Sequence, residues 1–451
     1  MSLSPEKPAL PGLHLVIEFL GVLASWRLIF VQTNLADFIK NTPEGQEADA
    51  ILRKCTHCGM CTATCPTYQL LSDELDGPRG RIYLIKQVLE GAVPTAKTQL
   101  HLDRCLTCRA CETTCPTGVR YGRLVDIGRH LVEQRVVRGP VESARRSLLN
   151  AVIPRPALFN SLLTMGRLVQ PLLPSSLSHK IPKGAAVQSW PKASHARRML
   201  VLDGCVQPSL SPATNAAAAR VLDQLGITLV RAQGAGCCGG VTFHLNRQEQ
   251  ALDTMRRIID AWWPHIEQGA EAVVITASGC GVTVKEYGHY LGQDPAYAAK
   301  AKRVSEMTKD ISEVIAAETD SLRALVRQPS AASRQLPVAF HSPCSLQHGM
   351  KINGVVEKLL SDLGYALTPV PDGHLCCGSA GTYSILQPEL SQRLLENKIA
   401  ALTSGAPSAI LTANIGCQMH LQSAMALPVR HWIEAFDESL PSLSPSPSPS
   451  N

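Results

Sequence analysis

Two cysteine runs constrain this chain more than anything else in it. The pattern C-x-x-C-x-x-C-x-x-x-C-P occurs at Cys55, Cys58, Cys61, Cys65 and Pro66, and again at Cys105, Cys108, Cys111, Cys115 and Pro116. In this spacing three thiolates of one run hold a cubane iron–sulfur cluster and the fourth crosses to the other cluster. The crossing rule places Cys55, Cys58, Cys61 and Cys115 on one 4Fe-4S cluster, and Cys105, Cys108, Cys111 and Cys65 on a second. Zinc also accepts soft thiolates. Structural zinc, however, takes separated C-x-x-C pairs, whereas four cysteines in one short run before proline is the cluster pattern. Proline biases the residue before it toward extended backbone, so Cys65 and Cys115 are expected to leave their loops pointing outward. Gly59 is free to adopt positive φ, but Arg109 occupies the matching position of the second run, so the two surroundings differ. Lys54 and Arg104 each directly precede a ligand, where a cation can tune an anionic cluster.

The chain holds 16 cysteines, and the eight outside these runs form two sets: Cys205, Cys237, Cys238, Cys280 and Cys344, Cys376, Cys377, Cys417. In both sets 32 positions separate the first cysteine from the pair; the pair and the last cysteine stand 42 apart in one set and 40 in the other. Such agreement marks an internal repeat. Each half reads strand, cysteine, helix, strand, Cys-Cys-Gly, helix, strand, cysteine. The expected strands are 199–202, 228–230 and 272–276, then 338–340, 367–370 and 409–412. Helices over 215–225 and 354–363 lie between, with Gly226 and Gly364 just past two of the helix ends. Alternating strands and helices imply parallel sheets whose strand ends bring the four thiols of each half to one edge, as a metal or redox site. Gly234-Ala-Gly-Cys-Cys-Gly matches the dinucleotide fingerprint, but the second half has Asp372-Gly-His-Leu-Cys-Cys-Gly there, so the glycines are read as serving the Cys-Cys turn. His341, His374 and His420 lie near this edge and are candidates for touching a cofactor or substrate.

At 451 residues several folded units are expected. The fold class is α+β multidomain: an α-helical ferredoxin domain with two cubane clusters, followed by two α/β cysteine-rich half-domains related by the repeat. The divisions are an N-terminal extension (1–34), the 4Fe-4S ferredoxin domain (35–140), a helical connector and linker (141–197), half-domain 1 (198–292), a helical connection (293–335), half-domain 2 (336–436) and a disordered tail (437–451). Within the ferredoxin domain, helices are expected over 35–54, from Asp76 to a stop at Gly91, and over 121–138. The apolar stretch 13–31 is interrupted by Glu18 and Arg27, and its uninterrupted part is too short to span a bilayer. Residues 144–173 alternate apolar positions with arginines, a pattern that suits packing or contact with a partner or membrane surface. The formal charge of +6 counts thiols as neutral; two loaded clusters bring it down to about +2. With aromatic residues at 4%, a nucleic-acid partner is excluded. Clusters of this kind are assembled where thiols stay reduced, which points to the cytoplasm.

Both constellations together resemble the family of iron–sulfur subunits of bacterial glycolate oxidase. The resemblance covers about residues 31–436. It rests on Cys-Thr-His-Cys-Gly-Met-Cys-Thr-Ala-Thr-Cys-Pro-Thr-Tyr, Asp-Glu-Leu-Asp-Gly-Pro-Arg-Gly-Arg-Ile-Tyr-Leu-Ile-Lys, His-Leu-Asp-Arg-Cys-Leu-Thr-Cys, both Cys-Cys-Gly motifs and Thr-Ala-Asn-Ile-Gly-Cys. It implies an electron-transfer subunit of a flavin-dependent complex that oxidises glycolate to glyoxylate. FAD would reside in a partner subunit, and electrons would pass toward quinone or another respiratory acceptor. It also implies a cytoplasmic position, on the inner face of the inner membrane through the complex, with a peripheral membrane contact. Family members begin near Val31, so the first thirty residues are expected to be an upstream misread start. Related heterodisulfide reductase halves use a terminal C-x-x-C to help bind a further, non-cubane cluster. Here those positions read Ala277-Ser-Gly-Cys280 and Asn414-Ile-Gly-Cys417, each one thiol short, which leaves an additional iron–sulfur site at the Cys-Cys-Gly edges open. The alternative reading makes that edge catalytic, as a disulfide or quinone reductase.

Overall fold

Proline sets the start of three helices around the first cysteine run, because its fixed φ suits the first helical turn and its missing N–H is not needed there. In a computed structural model, which describes residues 31–172, 189–319, 321–322 and 337–440, these are α1 (Pro43–Leu52), α2 (Pro66–Leu71) and α3 (Pro78–Leu89). They are followed by α4 (Ala96–Asp103) and α5 (Tyr121–Arg135). The chain divides into two units, and the first contains 31–103 and 111–136. Among its described residues it is helical, with no strand. Ile82, Ile85, Val88 and Leu89 on α3 and Leu124, Val125 and Val132 on α5 are buried, each contributing about 1.5–3 kcal/mol of apolar transfer free energy. Cys65 stands at the N-cap of α2 with ψ 113, the extended exit that Pro66 imposes.

The second unit contains residues 104–110 and 137–440. It opens with two helices, α6 (Pro140–Val152) and α7 (Pro156–Val169), again begun by proline. The first half then supplies β1 (Arg197–Val201), α8 (Pro212–Gln224), β2 (Ile227–Arg231), α9 (Gln248–Glu267), β3 (Val273–Ile275), α10 (Ser278–Lys285), β4 (Thr308–Asp310) and α11 (Ile311–Ala317). The second half repeats the series with β5 (Pro337–His341), α12 (Val355–Asp362), β6 (Ala366–Leu367), α13 (Pro388–Thr403), β7 (Ala409–Thr412), α14 (Ile415–Gln422), β8 (Val429–His431) and α15 (Trp432–Ser439). Each half is a four-stranded parallel sheet, in the orders β2-β1-β3-β4 and β6-β5-β7-β8. The duplicated α/β architecture expected from the repeat is therefore present.

One core joins the two halves. Val221 and Leu222 of α8 belong to the same buried cluster as Val356, Trp432 and Phe436. Polar contacts follow the same seam: Arg220 is ion-paired to Asp437, Ser278 N donates to Ala413 O at 3.2 Å, and His431 Nε2 contacts Thr276 O at 2.8 Å.

The structure corrects several expected boundaries. Each sheet gains a fourth strand, and β4 falls within the stretch 293–335 that was expected to be only a helical connection. Thr-Lys-Asp and Val-Arg-His carry no run of apolar residues that would signal a strand. The strand expected over 367–370 reduces to Ala366–Leu367, because Pro369 has no N–H for a ladder. The helix expected over 35–54 begins only at Pro43, with Thr42 as its extended N-cap, and the one expected from Asp76 begins at Pro78. Helix α15 continues to Ser439, past the tail boundary expected at 437, where the Arg220–Asp437 pair holds it. The apolar stretch 13–31, most of the linker and the rest of the tail lie outside the described residues, apart from Val31.

Candidate metal centres

In the first unit one cavity is lined by Cys55, Cys58, Cys61 and Cys115, together with Cys111 and Arg79. The loop reaches this shape through left-handed backbone at His57 (φ 53) and Gly59 (φ 82). Gly59 suits its left-handed position, and a Cβ there would stand 2.9 Å from Arg79 Nη1, so the guanidinium would have to shift. Arg79 is itself steered by Glu74, which accepts from its Nε at 2.7 Å and its Nη2 at 3.1 Å. Burial raises the Cys55 thiol and pushes Cys61 up to about 12. Burial also acts on Cys115, but hydrogen bonds from the Thr117 hydroxyl and from the N–H groups of Val119, Thr117 and Gly118 outweigh it and bring this thiol below its usual range. Buried thiols that resist ionisation, beside one that a ring of N–H donors favours as thiolate, are a donor set completed by a cation.

Behind Cys65 lies a buried polar network. Arg81 is 1% exposed and Asp76 0%. The Arg81 guanidinium donates to His101 O at 2.7 Å, Thr67 Oγ1 at 3.1 Å and Asp76 Oδ1 at 3.3 Å. His101 Nδ1 meets the same carboxylate oxygen at 3.1 Å, Thr67 Oγ1 donates to Asp76 O at 2.7 Å, and the Cys65 sulfur lies 3.4 Å from Thr67 Oγ1. The motif Asp76-Gly-Pro-Arg-Gly-Arg81 thus frames the Cys65 loop.

Cys105 and Cys108 lie on the loop 104–110, which is counted with the second unit. Thr107 (φ 53) and Arg109 (φ 62) repeat the left-handed positions of the first run. Arg109 adopts this conformation without being glycine, and its guanidinium is held by Glu286, which accepts from Nη1 at 2.5 Å and Nη2 at 2.8 Å. On the same loop Arg104 O accepts from Tyr383 Oη at 3.1 Å.

The Cys-Cys-Gly turns are alike in the two halves. Gly239 N and Gly378 N each point at the first sulfur of their pair, 3.4 Å from Cys237 and Cys376. Both glycines have positive φ, +84 and +89, and a Cβ on Gly378 would lie 2.6 Å from Ser391 O. These glycines serve the turn and its approach to the next helix, as expected. The thiols of Cys205, Cys237, Cys238 and Cys280 lie close enough to shift one another's ionisation in series. Hydrogen bonding from Cys237 and Cys280 draws Cys238 well down, while contact with Cys205 and burial hold Cys237 up. In the second half Cys344 Sγ is 3.8 Å from Cys376 Sγ, and Cys377 contacts both Cys376 and Cys417.

The three candidate histidines separate clearly. His374 offers its carbonyl to His348 Nε2 at 2.9 Å, and His420 Nε2 meets Ser391 Oγ at 3.1 Å. His341 is 1% exposed, both its ring nitrogens lack a hydrogen-bond partner, and one of them lies within 4.8 Å of the Cys377 and Cys417 sulfurs. Burial, reinforced by Lys398, keeps this imidazole neutral. Lys398 was not foreseen as a site residue: it is 3% exposed and donates to the carbonyls of Asp372 and Gly373 at 3.1 and 3.4 Å. A cavity is lined by Phe340, His341, Gln347, Glu357 and His374.

Comparison with known proteins follows these sites closely. Residues 51–119 match a 4Fe-4S dicluster domain, and residues 199–285 and 338–422 each match a cysteine-rich domain. The chain is 56% identical to the glycolate oxidase iron-sulfur subunit of Escherichia coli (strain K12) over 411 residues, covering 91% of this chain and 99% of the relative. It belongs to the family of glycolate oxidase iron–sulfur subunits. A second relative in this family is the "Probable glycolate oxidase iron-sulfur subunit" of Bacillus subtilis (strain 168), 28% identical over 86% of this chain and 90% of the relative. Lactate utilization protein A of Bacillus licheniformis is 27% identical over 46% of this chain and 82% of its own length. Membership agrees with the helical iron–sulfur region and the duplicated cysteine-rich fold.

Proposed function

We propose that this chain is the electron-transfer subunit of a flavin-dependent glycolate oxidase complex, accepting electrons from a flavoprotein partner and passing them through two 4Fe-4S clusters toward the respiratory chain. The observation that carries this reading is the convergence of Cys55, Cys58, Cys61 and Cys115 on one cavity, sulfurs that stand up to 60 positions apart in the sequence. Those four would hold the first cluster. Cys105, Cys108, Cys111 and Cys65 would hold the second, an assignment that rests on the ferredoxin spacing. Bound there, the clusters supply one-electron chemistry. The chain's own residues orient the sulfurs, screen them from water and supply N–H donors to a thiolate, as at Cys115. Glycolate and FAD belong to the partner, and quinone or another respiratory carrier is the acceptor. Among the described residues no helix is long and apolar enough to cross a membrane. A peripheral contact at the inner face of the inner membrane is supported by α6 and α7, which leave Leu148, Leu162, Met165 and Leu168 exposed beside basic side chains.

Cys58→Ala in the complex tests this. Iron should fall by about four per chain, and glycolate should still reduce the flavin while electrons no longer reach the acceptor. Unchanged iron and unchanged electron delivery would reject the ligand assignment. A second reading, in which the second-half edge reduces a quinone or disulfide directly, draws on the cavity beside His341. It requires this chain, reduced chemically without its partner, to turn over such an acceptor.

A further inference from the structure

The two cysteine-rich halves are copies, so differences between equivalent positions show what one copy does that the other does not. Three residues before the first cysteine, the first half carries Leu202 and the second His341. Twenty-one residues after the second cysteine of the pair, the first half carries Ile259 and the second Lys398. All four side chains are buried: Leu202 at 3%, Ile259 at 0%, His341 at 1% and Lys398 at 3% exposed. At these two points the first half carries hydrocarbon. The second half places an imidazole and an ammonium at the same points.

Neither substitution is accounted for by packing. Two unpartnered ring nitrogens in a buried histidine carry a desolvation penalty that leucine in this place does not. The ring is also aimed: one nitrogen lies within 4.8 Å of the sulfurs of both Cys377 and Cys417. The second half lacks a thiol at Asn414, where the related pattern has one. Imidazole is the common replacement for a thiolate on iron or zinc. Lys398 lies within electrostatic range of Cys344, Cys376, Cys377 and Cys417, and a buried ammonium is tolerated where net negative charge faces it.

We propose that His341 is a nitrogen ligand, with Cys377 and Cys417, of a thiophilic metal centre in the second half, a mixed nitrogen–sulfur site of which the first half has no counterpart. The metal is iron, alone or in a cluster, or zinc. An imidazole in place of a thiolate removes one negative charge from the centre, so an iron centre here is easier to reduce than an all-thiolate one. The proposal rests on the electron-transfer reading only in using the eight cubane irons as its reference. Failure of that reading shows as loss of those eight, independently of any metal beyond them.

The test uses the full-length protein purified anaerobically. Iron, zinc and sulfide are counted per chain for the wild type, His341→Leu and His341→Cys, and X-ray absorption together with pulsed EPR on 15N-histidine-labelled wild type reports nitrogen ligation directly. The expected result is metal beyond the eight cubane irons, loss of that increment alone in His341→Leu, and its return in His341→Cys. An iron increment with a strongly coupled histidine nitrogen identifies an iron centre, and a zinc increment with a mixed sulfur–nitrogen shell identifies zinc; either supports the ligand assignment. A wild type with no metal beyond the cubanes, or an unchanged increment in His341→Leu, overturns it. If the leucine variant fails to fold, absence of a nitrogen ligand in the labelled wild type overturns it as well.

Discussion

Asp76 and Arg81 form a buried ion pair whose function is to hold the Cys65 loop, and a mutant cycle measures that role. In Asp76→Ala, Arg81 at 1% exposure retains His101 O and Thr67 Oγ1 as acceptors but loses the Asp76 carboxylate. Removing one partner of a buried pair costs about 3–5 kcal/mol; two surviving acceptors place this case near the lower end, about 3 kcal/mol, or over a hundredfold in a local opening equilibrium. Asp76→Leu combined with Arg81→Met removes both charges. It leaves His101 O and Thr67 Oγ1 each short of a donor, so the double change should cost only about 1–3 kcal/mol. Arg81→Met alone strands the Asp76 carboxylate and should also cost about 3 kcal/mol or more, so with Asp76→Leu as the other single change the parts sum to about 6 kcal/mol and the coupling energy is at least about 3 kcal/mol and favourable. Hydrogen exchange read by mass spectrometry over 62–82 gives the opening free energy for each variant, and iron counting shows whether a disordered Cys65 loop costs the second cluster. If Asp76→Ala changes exchange by less than about tenfold, or if the double variant costs the sum of its parts, the network does not hold this loop.

Two further outcomes follow from the second unit. Gly378→Ala meets left-handed strain of about 1–2 kcal/mol and overpacking of about 1–3 kcal/mol, because its Cβ would lie 2.6 Å from Ser391 O and 3.0 Å from Leu394 Cβ. Gly239→Ala has similar φ but a nearest neighbour at 3.2 Å, so urea denaturation should show a clearly larger midpoint loss for Gly378→Ala, and equal losses would refute the packing argument. Asp310, the buried N-cap of α11, has its carboxyl pushed up to about 6 by burial, against the hydrogen bonds from Ser312 that favour its charge. Because the folded state holds this proton more tightly than the unfolded chain, the group costs nothing below about pH 4 and penalises folding progressively to about pH 6. Asparagine caps as well as aspartate, so the stability of Asp310→Asn relative to wild type should rise by about 2–3 kcal/mol between pH 4 and pH 7; a pH-independent difference would contradict the shift.

What could be read from the sequence was whatever ligand chemistry makes periodic. Cubane thiolates demand a fixed spacing, so the two runs stand out without structural help, and the repeat of four cysteines exposes the duplicated α/β halves. Elements whose signal is tertiary were lost. β4 and β8 are three residues each, with Lys309 and Arg430 in the middle, and exist because a neighbouring strand supplies the ladder. His341 could not be told apart from His374 and His420 by type or by nearness to a cysteine. Setting the halves against each other would have singled it out, since Leu202 in the same place marks a buried position. Lys398 reads as an ordinary solvated lysine of α13 until Ile259 is placed beside it.

The same comparison bears on which half continues the electron path. The loop 104–110 is tied to the first half by Arg109 on Glu286 and to the second by Arg104 O accepting from Tyr383. These two ties are unlike in kind: the first is a bidentate ion pair that fixes a left-handed turn, and the second is a single hydrogen bond to backbone. Against the Cys344 contact, which lowers it, Cys377 and burial hold Cys376 well up, and Cys108 on this loop adds the last and smallest like-charge push. An anchor to the apolar half and a sulfur presented to the half with His341 and Lys398 is the arrangement expected if one copy became scaffold and the other stayed in the redox chain. Arg109 then matters for where Cys108 stands rather than for charge near a cluster, because its guanidinium is already neutralised by Glu286.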